Sequence, residues 1–315
     1  MSKRIFALSV VLALALAVAI SFVMHSNDQR VILPTPVQIE PSIDQPHEIE
    51  SPLTSVIDGA PVILKAGPVA STTASVITAK AYLVGNLITG KVYVSDDASK
   101  PMPVASMSKL ITAIAAVDMI TSTSSIEVTK EEAMAPPDDS HLVAGERLSF
   151  DELMRAMLLS SSNVAAEAIA SSSDRAAFKK AMSGYAWEIG MSHSYFADPS
   201  GVSPQNTASA SDIFVLAQYL LKQHSDILAI TRLPQVSMAT TSDHGSHILM
   251  NIHPFVSDKR FIGGKTGRTP EAGETMLTIL EIDEQPIAFI VLGSAYGTRA
   301  WDTKLLINRY EKMKK

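Results

Sequence analysis

Two pairs of predicted β-strands, one early and one late in the sequence, bracket a long helical region. Residues 80–84 and 91–94 are β-branched and aromatic runs that flank a turn, which contains Gly85-Asn86 and closes at Thr89-Gly90. Residues 275–282 and 286–293 form a second such pair around a polar turn. Antiparallel strands from both ends of a chain commonly meet in one sheet. The sequence therefore predicts an α+β fold in which an antiparallel sheet of N- and C-terminal strands is covered by helices.

Between the two strand pairs the apolar residues recur at helical spacing. They do so over residues 213–221, after the potential N-cap Ser211, and Ser149 with Glu152 resembles a capping box at the start of another helix. An amphipathic stretch over residues 301–310 is expected to pack back on the sheet. The region between the strand pairs therefore predicts a mostly helical subdomain.

The N-terminus is long and apolar enough to cross a membrane. Lys3 and Arg4 precede an uninterrupted apolar run from Ile5 to Met24, about the length of a membrane-spanning helix. We interpret residues 1–25 as an uncleaved anchor with its start in the cytoplasm. The alternative is a signal peptide cleaved near Ala17-Val18-Ala19. Both interpretations predict an exported chain, either at the outer face of the cell membrane or released beyond it.

A proline-rich segment follows this run and precedes the first strand. Residues 26–75 show neither helical nor strand periodicity, which is typical of an extended spacer. Residues 76–315 are then expected to form one folded domain. A hydrophobic content of 46% with only 18% charged residues suits a chain with a substantial buried core.

Charge and cysteine content exclude several classes of function. The net charge of −6 argues against nucleic-acid partners, since such binding depends on clustered Lys and Arg. The chain has no cysteine, which excludes disulfides, thiolate zinc sites and cysteine nucleophiles.

Ser106 and Lys109 form the first of three motifs that together indicate chemistry. They begin an apolar helix and lie three positions apart, which places both on one helical face. A serine hydroxyl is a weak nucleophile until a base takes its proton, and a desolvated lysine can act as that base. Alone, a Ser-x-x-Lys sequence more often marks a helix start with a solvated lysine.

The other two motifs are equally weak in isolation. Ser161-Ser162-Asn163 follows a predicted helix on a turn that can aim a hydroxyl and an amide into a cleft. Gly264-Lys265-Thr266-Gly267, followed by Arg268, presents a cation and a hydroxyl on a strand that a peptide can approach closely. The glycine spacing there is not that of a phosphate-binding loop.

In this chain order the three motifs are those of penicillin-binding proteins and class A β-lactamases. From about Ala81 onward the sequence resembles the low-molecular-weight penicillin-binding proteins that act as D-alanyl-D-alanine carboxypeptidases. Further support comes from residues 144–159, residues 196–202 and Asn251. The resemblance implies a β-lactamase/transpeptidase-like fold, with residues 76–315 as a serine DD-peptidase domain that needs no cofactor or metal.

The resemblance also implies a role for each motif residue. Ser106 is expected to form an acyl-enzyme with the peptidoglycan stem peptide, with Lys109 as general base and Ser161 as proton relay. Asn163 is expected to bind the substrate amide, and Lys265 with Thr266 the terminal carboxylate. The strand residues Gly267 and Arg268 complete the substrate site, with backbone N–H groups of Ser106 and Arg268 as the oxyanion hole. β-Lactam antibiotics are expected to acylate Ser106.

Three alternatives stay open beside the carboxypeptidase. One is a DD-endopeptidase that cuts peptidoglycan cross-links with the same site, and another is an inactive wall-peptide-binding protein. A β-lactamase is disfavoured, because Glu188 is followed by Ile-Gly-Met-Ser and not by the Glu-x-x-x-Asn pattern of those enzymes. Ser162 and Val164 stand where the family often has glycine and aspartate, which leaves substrate preference open.

The remaining polar residues are interpreted as structural. His244 and His247 lack the spacing and carboxylate partners of a zinc site. His253 is expected to serve as a hydrogen-bonding residue of the domain interior. Asp138 and Asp139, after Pro136-Pro137, predict an exposed loop at the rim of the cleft.

Overall fold

The structure is a computed structural model that describes residues 76–314. The predicted anchor at residues 1–25 and the spacer at residues 26–75 lie outside the described residues. Within residues 76–314, no helix combines the length and the apolar character needed to cross a bilayer.

The described residues form eleven strands, seven α-helices and two short 3-10 turns. The strands are β1 Ala81–Asn86, β2 Val92–Asp96, β3 Met102–Pro103, β4 Ser125–Glu127, β5 Arg147–Ser149, β6 Thr207–Ala208, β7 Gln235–Met238, β8 His247–Met250, β9 Phe261–Thr269, β10 Gly273–Ile282 and β11 Gln285–Ser294. The helices are α1 Lys109–Met119, α2 Phe150–Leu159, α3 Asn163–Ser171, α4 Arg175–Glu188, α5 Ala210–Gln223, α6 Ser225–Arg232 and α7 Arg299–Met313. The 3-10 turns are Ala105–Ser108 and Glu132–Met134.

One five-stranded antiparallel sheet joins the two ends of the domain. Its strand order is β2-β1-β11-β10-β9, and β1 pairs with β11 from Ala81↔Leu292 to Asn86↔Ile287. The predicted meeting of N- and C-terminal strands is therefore confirmed. β9, which carries the Lys-Thr-Gly motif, lies at one edge of the sheet, with no further strand paired to it among residues 76–314.

Alternation along β11 divides the hydrophobic core between the two faces of the sheet. Ile287, Phe289 and Val291 pack in a cluster with Leu306 and Tyr310 of α7. The intervening residues of β11 face the opposite side and join the larger core formed with the helices. The amphipathic α7 packs on the sheet as predicted, although Trp301 points outward and is 51% exposed.

The helical subdomain is built around α1, whose residues from Lys109 to Ala116 are all buried. The predicted capping box of Ser149 and Glu152 is present at the start of α2. The prediction of Ser211 as an N-cap is wrong, because α5 begins two residues earlier. Ser209 caps it and forms a capping box with Asp212, which stands at the required third helical position.

The turn predicted from Gly85-Asn86 to Thr89-Gly90 is present but starts later, at Leu87. Gly85 and Asn86 still pair with β11, and the chain reverses over residues 87–90. The side-chain oxygen of Asn86 accepts hydrogen bonds from the amides of Ile88 at 2.8 Å and Thr89 at 2.9 Å. An asparagine can therefore end the strand and stabilise the turn that follows it.

Candidate active site

Ser106 lies on a sharp turn directly before the buried helix α1. The preceding residue, Ala105, has a φ of 50°, a left-handed conformation that is strained for a residue other than glycine. The edge strand β9 passes close to this turn, since a Cβ atom on Gly267 would lie 2.7 Å from the carbonyl oxygen of Val104. The first and third motifs are thus brought together by a backbone approach that only glycine permits.

Lys109 is buried at the centre of the site and contacts Ser106 of its own motif, the second motif and the turn at Ser200. Its Nζ donates to Ser106 Oγ at 3.0 Å, to Asn163 Oδ1 at 2.8 Å and to the carbonyl of Ser200. Burial lowers the pKa of Lys109 to about 7, against the opposing effect of nearby carboxylates. At neutral pH a large fraction of this amine is therefore free to accept a proton from Ser106.

The second motif occupies the connection between α2 and α3, as predicted. Ser161 has a φ of 61°. Ser162 is the N-cap of α3 and accepts from the amide of Ala165 at 3.1 Å. This sharp connection places the hydroxyl of Ser161 next to Lys265. It places the side-chain amide of Asn163 next to Lys109.

Lys265 reaches from the edge strand to the second motif. Its Nζ lies 2.7 Å from Ser161 Oγ and 3.0 Å from the carbonyl of Thr266. Burial, followed by the charges of Lys109 and Arg299, holds the pKa of Lys265 well below its usual value. A cation in this position is costly until an anion arrives, which favours a ligand that carries a carboxylate.

The side chains of the motif residues that contact one another share one site: Ser106, Lys109, Ser161, Asn163 and Lys265. Thr266 is buried beside Lys265. The Arg268 guanidinium points outward and lies 5.3 Å from the ring centroid of Tyr296. Because the prediction for Arg268 concerned its backbone N–H, this side-chain position leaves that prediction untested.

Arg299 is a site residue that the sequence analysis missed. It is the first residue of α7, and its Nη1 donates to the carbonyl of Gly267 at 3.0 Å. This places a third cation beside the end of the Lys-Thr-Gly strand. No local pattern around Arg299 marks it, because its proximity to Gly267 arises only when α7 folds back on the sheet.

A tight turn around Asp198 supplies the carbonyl that contacts Lys109. The carboxylate of Asp198 accepts from Ser200 Oγ at 3.0 Å and from the amide of Ser203 at 2.7 Å. Gly201 follows with a φ of +83°, and a Cβ there would lie 2.3 Å from the carbonyl oxygen of Ala105. This turn therefore packs against the turn that presents Ser106.

The loop containing Asp138 and Asp139 only partly matches the prediction. Asp139 is exposed, but Asp138 is half-buried. The carboxylate of Asp138 lies 2.7 Å from the backbone amide of Asn163. Asp138 is thus a second residue at the site that the sequence pattern did not identify.

The histidines contact protein groups. His247 lies 2.9 Å from Glu146, and His244 lies 3.4 Å from Glu152. Within residues 76–314, no group of three His, Cys, Asp or Glu residues is arranged to hold a metal ion. His253 accepts from the amide of Phe255 at 3.2 Å and lies 3.0 Å from the carbonyl of Leu277. Burial lowers the pKa of His253 to about 3, so it is neutral at physiological pH.

Comparison with known proteins identifies a peptidase family. A family model described as D-alanyl-D-alanine carboxypeptidase matches residues 68–295. A D-alanyl-D-alanine endopeptidase of Haemophilus influenzae is 32% identical over 209 residues, covering 64% of this chain and 70% of that protein. A D-alanyl-D-alanine endopeptidase of Pseudomonas aeruginosa is 27% identical over 222 residues, covering 68% of this chain and 71% of that protein.

The fold also matches a solved structure. The crystal structure of a D-alanyl-D-alanine carboxypeptidase from Mycobacterium tuberculosis superimposes with a TM-score of 0.69 at 20% identity. The match covers 75% of this chain and 91% of that one. The predicted fold class is therefore confirmed.

Proposed function

Because the chain belongs to the D-alanyl-D-alanine carboxypeptidase family of serine peptidases, we propose that it removes the terminal D-alanine from peptidoglycan stem peptides through an acyl-enzyme on Ser106. The observation that carries this proposal is that two buried amines each contact the hydroxyl of a different serine in one cleft. Lys109 lies 3.0 Å from Ser106, and Lys265 lies 2.7 Å from Ser161. One pair suits activation of the nucleophile and the other suits protonation of the leaving group.

Acylation begins when neutral Lys109 takes the proton of Ser106. The Ser106 oxygen then bonds to the carbonyl carbon of the penultimate D-alanine, and negative charge develops on the carbonyl oxygen. Backbone N–H groups of Ser106 and Arg268 stabilise that charge, and each such donor is typically worth about 3 kcal/mol. The burial that lowers the pKa of Lys109 supports its role as base at neutral pH.

The leaving group departs when the tetrahedral intermediate collapses. Ser161 passes a proton to the nitrogen of the terminal D-alanine as the C–N bond breaks, and it recovers a proton from the neighbouring lysines. Water then attacks the Ser106 ester, which releases the shortened peptide as a carboxylic acid and returns a proton to Ser106.

The end of the site that carries the cationic side chains binds the carboxylate of the substrate. Lys265, Thr266 and Arg299 bind the terminal carboxylate of the substrate. Asn163 binds the substrate amide. Its Oδ1 accepts a hydrogen bond from Lys109, and its Nδ2 donates one hydrogen to the carbonyl of Pro136 at 3.0 Å. The second hydrogen of that Nδ2 remains for a substrate carbonyl. β-Lactams carry a similarly placed carboxylate, so they enter the same site and acylate Ser106.

The test is to incubate the full chain with linear pentapeptide muropeptides and measure free D-alanine. The proposal predicts stoichiometric release of D-alanine that stops when Ser106 is replaced by alanine. Release at a negligible rate from linear stems would refute the carboxypeptidase.

A DD-endopeptidase that cleaves peptidoglycan cross-links is the second candidate. Both curated relatives described above bear that name, which favours it. The same test distinguishes the two candidates when cross-linked muropeptides are added in parallel. An endopeptidase would convert the cross-linked dimers to monomers while leaving linear stems intact.

We also propose that residues 1–25 anchor the enzyme at the outer face of the cell membrane. The apolar run from Ile5 to Met24 and the preceding Lys3-Arg4 support this location. Membrane fractionation, with protease added to intact spheroplasts, tests it. Recovery of a shortened chain in the soluble fraction would instead indicate cleavage near Ala17-Val18-Ala19.

A further inference from the structure

One carboxylate, that of Asp138, joins the loop before β5 to the turn at Ser161-Ser162-Asn163, which we call the catalytic turn. Oδ2 of Asp138 accepts hydrogen bonds from the backbone amides of Asn163 at 2.7 Å and Val164 at 3.3 Å. It also accepts from the hydroxyl of Ser162 at 3.1 Å. These amides belong to the first residues of α3, whose N-terminal N–H groups have no partners within the helix. A single side chain thus holds the start of the helix that follows Ser161.

The same loop fixes the orientation of the Asn163 side chain. The carbonyl of Pro136 accepts from Asn163 Nδ2 at 3.0 Å. An amide whose nitrogen faces a carbonyl must present its oxygen in the other direction. That oxygen, Oδ1, accepts from Lys109 at 2.8 Å. The position of the loop therefore decides which atom of Asn163 contacts the catalytic amine.

Ser140 fixes the position of this loop through further hydrogen bonds. Ser140 Oγ donates to Ser162 Oγ at 2.8 Å, and the amide of Ser140 donates to Asp138 at 2.9 Å. The carbonyl of Ser140 lies 3.2 Å from Nδ1 of the buried His247, whose other ring nitrogen contacts Glu146 at 2.9 Å. Ser140 thus connects Asp138 and Ser162 to the buried pair of His247 and Glu146.

We infer that Asp138 is a positioning residue that holds Ser161 and Asn163 within hydrogen-bonding reach of Lys265 and Lys109. This inference rests on the proposed function of those four residues. A carboxylate suits the task, because hydrogen bonds from amides to an ionised acceptor are stronger than neutral ones and a negative charge at a helix N-terminus is favourable. Charge at Asp138 also acts on Lys109 across the site.

Lys109 is surrounded by charged groups from several elements. Asp138 lies on the loop, Glu167 on α3, Asp198 on the turn before β6 and Lys265 on β9. The three carboxylates raise the pKa of Lys109 against the larger lowering effect of burial, and Asp138 has the largest effect of the three. Removing the charge of Asp138 therefore lowers the pKa of Lys109 further.

Asp138→Asn tests the inference, because asparagine keeps the shape and removes the charge. Its matched control is Asp139→Asn, which removes the same charge from the exposed neighbouring position. The first readout is hydrogen exchange at the amides of Asn163 and Val164 in the full chain, which requires no activity. Loss of a charge-assisted hydrogen bond is expected to speed this exchange by about tenfold or more in Asp138→Asn.

The second readout is the pH profile of acylation by a fluorescent penicillin. We expect Asp138→Asn to acylate about ten- to a hundredfold more slowly at its optimum, with the acidic limb of its profile moved to lower pH. Asp139→Asn should match the wild type in both respects. A merely structural role would lower the melting temperature and leave the maximal acylation rate unchanged, because the movement of the limb alone reports the lost charge.

The two readouts separate failure of this inference from failure of the proposed function. Exchange and acylation in Asp138→Asn that both match Asp139→Asn would overturn the positioning role. If the wild type shows no acylation at all, the proposed function fails, and the exchange at Asn163 and Val164 still decides whether Asp138 holds the turn.

Discussion

The amine of Lys265 lies 2.7 Å from the hydroxyl of Ser161, although the two residues are separated by 104 positions in the chain. One comes from the edge strand β9 and the other from the turn between α2 and α3. The contact joins the edge of the sheet to the helical subdomain. β9 is available for this contact because it has no further strand partner among residues 76–314.

Replacing Lys265 with alanine is expected to slow acylation by labelled penicillin by at least about a hundredfold, because proton transfer and carboxylate binding are both lost. Lys259→Ala, at an exposed position just before the same strand, is the matched control and should leave the rate unchanged. Equal acylation rates in the two variants would show that Lys265 takes no part in acylation.

Acylation should depend on pH through Lys109. The amine must be neutral to take the proton of Ser106, and its pKa is lowered by burial to about 7. The rate is therefore expected to fall about tenfold for each pH unit below that value and to level off above it. Stopped-flow measurement between pH 5 and 9 checks this. A rate independent of pH across that range would require a different base.

Arg299 is expected to act on substrate binding more than on chemistry. Its guanidinium donates to the carbonyl of Gly267, next to the residues proposed to bind the terminal carboxylate. Arg299→Ala should raise KM for a linear stem peptide about ten- to a hundredfold with a smaller change in kcat. Arg309→Ala, on an exposed part of α7, serves as the control. A fall in kcat at constant KM would contradict this role.

The turn at Gly201 should tolerate no side chain. A Cβ at its φ of +83° would lie 2.3 Å from the carbonyl oxygen of Ala105. Gly201→Ala is expected to destabilise the fold by at least about 1–3 kcal/mol and to disturb the contact between Ser200 and Lys109.

Gly184→Ala provides the opposite control for that substitution. Gly184 lies inside α4, with no atom within 4 Å of the added Cβ. Alanine there should stabilise the helix by about 0.5–1 kcal/mol. Thermal unfolding of both variants checks the pair, and equal melting temperatures would be inconsistent with a tight turn at Gly201.

Local patterns in the sequence predicted the elements that carry the site. The spacing of Ser106 and Lys109, the strand pairs and the capping box at Ser149 all depend on neighbours within a few residues, and each is present in the structure. Ser209 could also have been predicted as the N-cap of α5, because Ser209 has an acid three positions later and Ser211 has Phe214 there.

Long-range contacts were beyond the reach of such patterns. Asp138 contacts Asn163 through a separation of 25 residues, and Arg299 contacts Gly267 through 32. The two members of each pair lie in different elements of the fold, so only the packed fold brings these side chains to the site. The resemblance to a known family supplied the roles of the motif residues, but it did not supply these partners.

Mass spectrometry of the full chain after incubation with a labelled penicillin tests the central assignment most directly. We expect one covalent adduct per chain that persists long enough to isolate, lies on the peptide containing Ser106 and is absent from Ser106→Ala. An adduct that survives in Ser106→Ala, or a wild-type chain that gains no mass, would contradict this assignment.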